Sequence, residues 1–351
     1  MKVLYFGSYS LNNSRNAVLI KGLRLNGVEV IECCDNSPLF AVRCWRLLVK
    51  YFTLRATFDV MIVGFPGQEL MPLARLLTRK PIVFDVFTSH YMGYILDRQY
   101  FSPQSLRAWY YHTLDALSCR LADSVLLDTQ SHIDYFVKEF KIPSRRFVKI
   151  WLGANTDVYY PLEQHQGEVD SSEVVFWGNF IPLQGVEVIV RAAYILKNEA
   201  IHFTLMGKGQ TLEKCKELSR ELQLTNITFL GFVSYEELRQ RSAQAHISLG
   251  VFSSGVKADI TIQNKIFEAL AMGKALITAR TTATQELLRD GENCILCNPS
   301  DAESLARAIL KLKADDTLRH RIAKQGHDFF LSNLTEQRLG AELKKTIEAL
   351  T

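Results

Sequence analysis

Short apolar runs alternate along the chain with stretches in which apolar residues recur at helical spacing. The runs cover residues 2–6, 28–32, 60–64, 82–86 and 124–127 in the first half, and 174–177, 203–206, 227–230, 247–249 and 275–278 in the second. Short runs with few polar positions are typical of strands buried on both faces of a parallel sheet. The pattern therefore predicts an α/β protein with two doubly wound sheets.

The two sets of strands are separated by a polar stretch, residues 162–172, which predicts a linker. We expect a Rossmann-like domain over residues 1–161, a second one over 173–315, and closing helices over 316–351. With 351 residues, of which 48% are hydrophobic and 22% charged, the chain is long enough for two ordinary cores.

Charge and cysteine usage exclude several classes of function. The net charge is +4 and no dense basic run is present, so we expect no nucleic-acid partner. The seven cysteines form no disulfide framework, which favours a reducing compartment. Cys294 and Cys297 form a CxxC without a second pair or a histidine cluster, so we interpret them as buried thiols and expect no metal site.

The sequence also bears on location. Met1 leads directly into a strand without a signal-peptide pattern, and no apolar run approaches the about 20 residues that span a bilayer. We therefore expect a cytoplasmic location.

Residues 41–52 mix cations with large apolar side chains. Arg43, Arg46 and Lys50 alternate there with Trp45 and other apolar residues. Such a helix can lie in a membrane interface, with its cations toward anionic headgroups. It can equally be a domain helix with solvated cations. The first alternative predicts a peripheral location on the inner face of the plasma membrane.

The stretch 255–299 has the pattern of a binding site. Its first part has no helical rhythm, but from Asn264 apolar residues recur at helical spacing until Gly273. With Asn264 as N-cap and Lys265 beside it, the helix start can bind an anion. Glu268, one turn further, can accept both hydroxyls of a ribose. The alternative is an ordinary cap, a solvated lysine and a surface glutamate.

Glycine and polar residues also follow the predicted strands of the first half. The carboxyl ends of parallel strands gather ligands. We therefore select the following residues as candidates for binding a substrate that carries a hydroxyl group, the acceptor, and for proton transfer: Gly7, Ser8, Asp85, His90, Asp97 and Arg98. A carboxylate such as Asp85 could take a proton from an acceptor hydroxyl, and Arg98 could hold a phosphate. Asp97 and Arg98 could instead brace their loop, and a lone histidine is more often structural.

The segments NKIFEALAMGKALIT and ELLRDGENCILCNPSD resemble the donor-sugar segment of glycosyltransferase family 4, the retaining enzymes of GT-B fold. Family members usually carry two glutamates spaced E-x7-E. Glu268 matches the second, whereas Ile260 stands where the first is expected and Asp259 is adjacent. The Asn-Lys pair before Glu268 resembles a branch of the family with NK at this place. Residues 151–161 resemble the hinge segment of the same family.

Residues 178–185 resemble the family's donor loop, in which an arginine and a lysine clamp the diphosphate. Here Asn179 and Gln184 occupy those positions, and we expect Lys257 and Lys265 to supply the missing charge. The resemblance places the donor against the following residues: Gly178, Asn179, Gln184, Gly207, Gly209, Gly231, Phe232, Lys257, Asn264, Lys265 and Glu268.

The resemblance implies two Rossmann-like doubly wound domains facing a central cleft, with the acceptor in the first and the nucleotide sugar in the second. It implies retaining transfer of a sugar from a nucleotide diphosphate sugar to a glycan or lipid-linked acceptor, in cell-surface polysaccharide or glycolipid synthesis. Catalytic roles fall to Lys265, Glu268 and Asp85, and no cofactor besides the donor substrate is expected. The last helix is expected to cross back to the first domain. Two alternatives remain: a non-catalytic nucleotide-binding partner protein, and a nucleotide-sugar epimerase of the same fold.

Overall fold

A computed structural model describes residues 1–11, 14–54, 57–162 and 172–351. The chain divides into two compact units, the first formed by residues 1–155 and 333–351 and the second by residues 156–332. Residues 156–161 and 316–332 thus group with the second unit. Most of the predicted linker, residues 163–171, lies outside the described residues.

The first unit contains a six-stranded parallel sheet in the order β2-β1-β3-β4-β5-β6. Its strands are β1 (Lys2–Gly7), β2 (Glu29–Cys34), β3 (Val60–Val63), β4 (Ile82–Asp85), β5 (Ser124–Leu127) and β6 (Phe147–Lys149). β3, β4 and β5 are buried along their whole length, as their apolar runs predicted. β6 was missed because this short edge strand is only partly buried and carries no apolar run.

Five helices follow these strands: α1 (Ser14–Leu25), α2 (Phe40–Leu54), α3 (Met71–Leu77), α4 (Leu106–Leu121) and α5 (Gln130–Phe140). A π-helical segment, Met92–Asp97, lies between β4 and α4. Side chains of α2, α3, α4 and α5 share one core with the sheet. Residues of α1 contribute to a separate core.

The second unit contains another six-stranded parallel sheet, in the order β12-β11-β10-β7-β8-β9. Its strands are β7 (Ser172–Trp177), β8 (Ile201–Met206), β9 (Ile227–Gly231), β10 (Ile247–Leu249), β11 (Ala275–Ala279) and β12 (Ile295–Cys297). The strand order reverses between β7 and β10. In doubly wound sheets, this reversal opens a crevice at the carboxyl ends of the strands.

The helices of the second unit are α6 (Val186–Ile195), α7 (Leu212–Glu221), α8 (Tyr235–Gln244), α9 (Val256–Ile260), α10 (Asn264–Ala271), α11 (Thr282–Leu287), α12 (Ala302–Ala314) and α13 (Asp316–Asn333). The expectation that the stretch before Asn264 is irregular was wrong, because α9 forms there. Its five residues are too few to produce a visible helical period.

The last helix, α14 (Glu336–Glu348), lies in the first unit and packs along α1. Gly22 of α1 and Gly340 of α14 face each other, and a Cβ atom on Gly340 would overlap the Gly22 backbone. Lys21 and Glu336 form a salt bridge of 3.0 Å at the same contact. Among the described residues, no helix is both long and apolar enough to traverse a bilayer.

Candidate functional site

Three glycine-containing turns meet at the carboxyl ends of β7, β8 and β9. The amide of Phe180 donates to Lys208 O at 2.9 Å, and the amide of Gly207 donates to Gly231 O at 2.6 Å. Gly207 and Gly209 have φ angles of 143° and 149°, and a Cβ on Gly209 would lie 2.5 Å from Phe180 O. These two glycines are therefore required by the packing of the turns against each other.

Lys265 is buried in the first turn of α10. Its ammonium group donates a hydrogen bond to Gln184 Oε1 and lies 4.3 Å from the centre of the Phe176 ring. A Cβ atom on Gly178 would lie 2.8 Å from Lys265 Nζ, so the ammonium lies against the turn after β7. Within the described residues, no carboxylate comes within salt-bridge distance of it. Burial lowers the pKa of Lys265 to about 7, although the charge of Glu268 opposes this shift.

Glu268 lies one turn after Lys265 and is only 5% exposed. Trp177 Nε1 donates to its Oε2 at 2.7 Å. Burial raises the pKa of Tyr159, and the charge of Glu268 and a hydrogen bond to it raise that pKa further. A carboxylate has about four acceptor positions, so it can accept several hydrogen bonds at once. The alternative of a surface glutamate was wrong.

The start of α10 differs from the expectation. Its N-cap is Gln263, which has an extended backbone and makes no capping bond, so Asn264 is the first helical residue. Asn264 Oδ1 is buried and has no hydrogen-bond partner among the described residues. This orphaned amide oxygen, on the residue before Lys265, is available to a ligand donor group.

The place of the missing first glutamate is buried. Ile260, the last residue of α9, is 9% exposed. Its neighbour Asp259 accepts hydrogen bonds from Thr282 N at 3.0 Å and Thr282 Oγ1 at 2.8 Å. Asp259 therefore holds α9 to the start of α11.

The remaining predicted donor residues differ in exposure. Asn179 is exposed, and Phe232 is 76% exposed. Lys208 Nζ lies 5.1 Å from the centre of the Phe232 ring, so this pair forms a cation–aromatic surface beside the glycine turns. Lys208 was not among the predicted donor residues, although its position between two glycines indicated that it lies in a ligand-binding turn. Lys257 lies in α9 rather than in an irregular loop.

In the first unit, Asp85 is fully buried in an ion pair with Arg15. Arg15 Nη2 and Nε donate to Asp85 Oδ1 at 2.9 and 3.0 Å, and Arg15 Nη1 donates to the carbonyls of Ile150 and Trp151. The expectation that Asp85 takes the proton of a substrate hydroxyl was therefore wrong, because its carboxylate is buried and paired with Arg15. Its carboxylate stabilises the unit by joining the end of β4 to the start of α1.

His90 follows β4 in a loop that Asp115 organises. Asp115 is buried and accepts hydrogen bonds from Ser89 Oγ at 2.6 Å, from His90 N at 3.1 Å and from Tyr91 N at 2.9 Å. Burial lowers the pKa of His90 to about 4, so its imidazole is neutral at pH 7. His90 Nδ1 is buried and has no partner in the described part of the chain. A neutral histidine with an unsatisfied ring nitrogen is suited to a hydrogen bond with a ligand.

The other acceptor candidates lie near the same strand ends. Gly7 ends β1 with a φ angle of 146°, and Ser8 follows it, half-buried. Asp97 ends the π-helical segment, and Arg98 places its guanidinium 6.0 and 5.9 Å from the ring centres of Tyr94 and Tyr100.

A buried pair in the first unit was not foreseen. His132 Nδ1 lies 2.7 Å from Asp128 Oδ1, and both side chains are shielded from solvent. Asp128 follows the end of β5, and His132 lies in the first turn of α5. Their spacing of four residues was the signal in the sequence that the two side chains could meet.

Two parallel doubly wound sheets define the class of this protein: it has the GT-B fold. The structure of HepE from Anabaena in complex with UDP and glucose matches with a TM-score of 0.75, covering 99% of this chain and 100% of that chain at 17% identity. Sucrose-phosphate synthase from Thermosynechococcus elongatus matches with a TM-score of 0.77, covering 100% and 99% at 15% identity.

Sequence comparison adds similarity to one family of enzymes. Residues 171–315 match the family model described as Glycosyl transferases group 1. The lipopolysaccharide core biosynthesis glycosyltransferase LpsE of Rhizobium meliloti is 26% identical over 171 residues, which are 48% of this chain and 48% of LpsE. The uncharacterized glycosyltransferase MJ1069 of Methanocaldococcus jannaschii is 22% identical over 344 residues, 94% of this chain and 85% of that protein. Residues 171–315, which lie within the second unit, are therefore similar to the glycosyl transferases group 1 family, and the protein has the GT-B fold.

Proposed function

We propose that this protein is a retaining glycosyltransferase that transfers a sugar from a nucleotide diphosphate sugar to a hydroxyl of a glycan or lipid-linked acceptor. The observation that carries the proposal is the buried Lys265 ammonium, which has no carboxylate in salt-bridge distance among the described residues and lies against the Gly178 turn. The family match and the presence of UDP in the HepE structure support a nucleotide-sugar donor.

In the proposed reaction, the acceptor oxygen bonds to the anomeric carbon as the bond from that carbon to the diphosphate oxygen breaks. The acceptor proton passes to the departing phosphate oxygen, and attack on the same face retains the configuration. Negative charge develops on the diphosphate, so Lys265 and the free N–H groups at the start of α10 stabilise the transition state. Glu268 accepts the ribose hydroxyls and positions the nucleotide.

The first experiment is a thermal-shift screen with UDP-, GDP- and ADP-sugars. The donor should raise the melting temperature, because a ligand that binds only the folded state stabilises it. Lys265→Met should reduce the shift, whereas Lys311→Met, at an exposed position of α12, should preserve it. The identified donor is then incubated with candidate acceptors, and NMR of the product gives its anomeric configuration. An inverted product would reject retention, and a wild-type protein with no shift would reject donor binding.

The second candidate function is a non-catalytic partner, and the loss of both clamp charges at Asn179 and Gln184 favours it. A protein that binds a nucleotide sugar but transfers nothing to any acceptor fits this candidate. An epimerase would instead convert the nucleotide sugar without an acceptor, which chromatography of the donor pool detects.

We further propose that one face of the first unit contacts an anionic membrane. Trp45 and Phe52 of α2 are 64% and 63% exposed, and Leu47 is the fully buried residue of that helix. The neighbouring α3 and α4 add the exposed side chains of Leu76 and Trp109. Apolar groups flanked by cations suit the interface of an anionic bilayer. An acceptor at this surface would be lipid-linked.

A further inference from the structure

A cavity of about 450 Å³ lies within the second unit, beyond the C-terminal end of α10. Its wall comes from residues 160–162, α8, residues 272–274 and α13, and its basic side chains are Arg239, Lys274, His320, Lys324 and His327. Arg239 pairs with Glu236, and Lys324 pairs with Asp328 at 2.5 Å. Neither Glu236 nor Asp328 contributes to the cavity wall, and among the described residues no acidic side chain lines it.

Lys274 carries a buried charge in this wall. It is 3% exposed, and its Nζ donates to Ala243 O at 3.2 Å. No carboxylate among the described residues lies within salt-bridge distance of it. An ammonium has three N–H donors, so one carbonyl leaves donors for another acceptor. Burial, together with the charge of Arg319, lowers the pKa of Lys274 to about 8, and at pH 7 it remains mostly protonated.

Arg239 and His327 also line this cavity. Arg239 stacks on Tyr160 with its guanidinium 4.7 Å from the ring centre, and its Nε is buried with no partner in the described residues. His327 Nδ1 lies 3.1 Å from Leu270 O, so a neutral His327 carries its hydrogen on Nδ1.

We propose that this cavity binds a small organic phosphate. Lys274 and Arg239 would hold the phosphate group, and the apolar wall around Tyr160 and Met272 would contact the carbon part of the ligand. The site is separate from the one proposed for the nucleotide sugar. Lys265 lies in the first turn of α10 and Lys274 beyond its end, and eight residues of helix span about 12 Å.

A structural explanation of the same cations competes with this proposal. Ala243 and Leu270 lie at the C-terminal ends of α8 and α10, where carbonyl groups lack helical partners and attract cations. If Lys274 only caps α8, Lys274→Met should lower the melting temperature and change no ligand binding. If Lys274 instead serves to bind a ligand, Lys274→Met removes a buried unpaired charge, so the melting temperature of the ligand-free protein should stay unchanged or rise.

The test is a titration of the full-length protein at pH 7 with glucose 6-phosphate, followed by NMR of ¹³C-labelled histidines. His320→Gln and His327→Gln assign the two signals. Both signals should shift saturably in the wild type, and glucose should have no effect. Lys274→Met should weaken binding about tenfold or more, because a charge-assisted hydrogen bond contributes about 1.5–3 kcal/mol. Lys311→Met is the matched control.

The Lys265→Met variant separates this site from the donor site. It should keep the phosphate-induced shifts of His320 and His327, since its change is at the other end of α10. Two outcomes would overturn the proposal: signals that do not move at millimolar ligand, or equal affinity in wild type and Lys274→Met. Shifts that vanish in Lys265→Met would assign the phosphate to the donor site instead.

Discussion

The ammonium of Lys265 donates its hydrogen bond to the amide oxygen of Gln184, the residue that stands where the resembling family carries a clamp lysine. A positive charge in this turn is therefore supplied by α10 rather than by the loop itself. A glutamine oxygen beside an ammonium fixes the lysine side chain without neutralising it. If the proposed function holds, Lys265 supplies one positive charge at the turn where Asn179 and Gln184 supply none.

Replacing Lys265 with Met should lower turnover by about 100-fold or more, because it removes a cation from a transition state with growing negative charge. The same change should raise the melting temperature of the ligand-free protein, since it removes a buried charge. Steady-state kinetics and calorimetry measure the two effects. A Lys265→Met enzyme with wild-type turnover would reject the role, and Lys311→Met controls for a lost surface charge.

Donor affinity should depend on pH through Lys265. Its pKa in the free protein is about 7, and a bound diphosphate must raise it. Below pH 7 the lysine is already charged, so the dissociation constant should be flat. Above pH 7 the constant should rise by about tenfold per pH unit, up to the pKa of the complex. Calorimetric titrations from pH 6 to 9 test this, and the slope should disappear in Lys265→Met.

Glu268→Gln should weaken donor binding by about tenfold or more, since a charge-assisted bond to ribose contributes about 1.5–3 kcal/mol. Trp177→Phe is the informative control, because it removes the indole donor and leaves the carboxylate. If Glu268 only braces Trp177, the two variants should lose similar stability and both keep wild-type donor affinity. Calorimetry of donor binding and of unfolding separates the cases.

Asp85→Asn should lower the free energy of unfolding by about 3–5 kcal/mol, because it leaves the buried guanidinium of Arg15 without its counter-ion. A double variant, Arg15→Met with Asp85→Leu, should recover much of that loss. Urea denaturation measures both. An Asp85→Asn protein of unchanged stability but lost turnover would return Asp85 to the catalytic residues.

The membrane proposal predicts sedimentation of the protein with vesicles that contain phosphatidylglycerol, and release as salt rises. Trp45→Gln together with Phe52→Gln should reduce the bound fraction several-fold, because both rings would leave the interface. Leu331→Gln, at a half-exposed apolar position of the second unit, is the control. A wild type that ignores such vesicles at low salt would reject the proposal.

The sequence specified the sheets well because each buried parallel strand is a local apolar run. It also located the turns at Gly178 and Gly207, since glycine after a strand is a local signal. The prediction of the start of α10 from the sequence was wrong. Gln263 occupies the N-cap position there without a capping bond, although asparagine is a preferred residue at that position.

Hydrogen bonds and ion pairs between residues far apart in the sequence could not be predicted from local patterns. Trp177 and Glu268 are 91 residues apart, and Arg15 and Asp85 are 70 residues apart. Nothing local distinguishes a carboxylate that receives a buried guanidinium from one that faces a substrate. Asp85 was therefore assigned to chemistry, although the fold uses it to join two elements.

The contact between α1 and α14 sets an order of completion during synthesis. Leu339, Leu343 and Ile347 fill the core on the α1 side of the first sheet, and they are synthesised after the whole of the second unit. The second unit, which ends at residue 332, has all of its sequence available earlier. The first unit, although its synthesis starts earlier, can therefore complete its core only after the second unit has been synthesised, and until then the apolar face of α1 lacks its α14 cover.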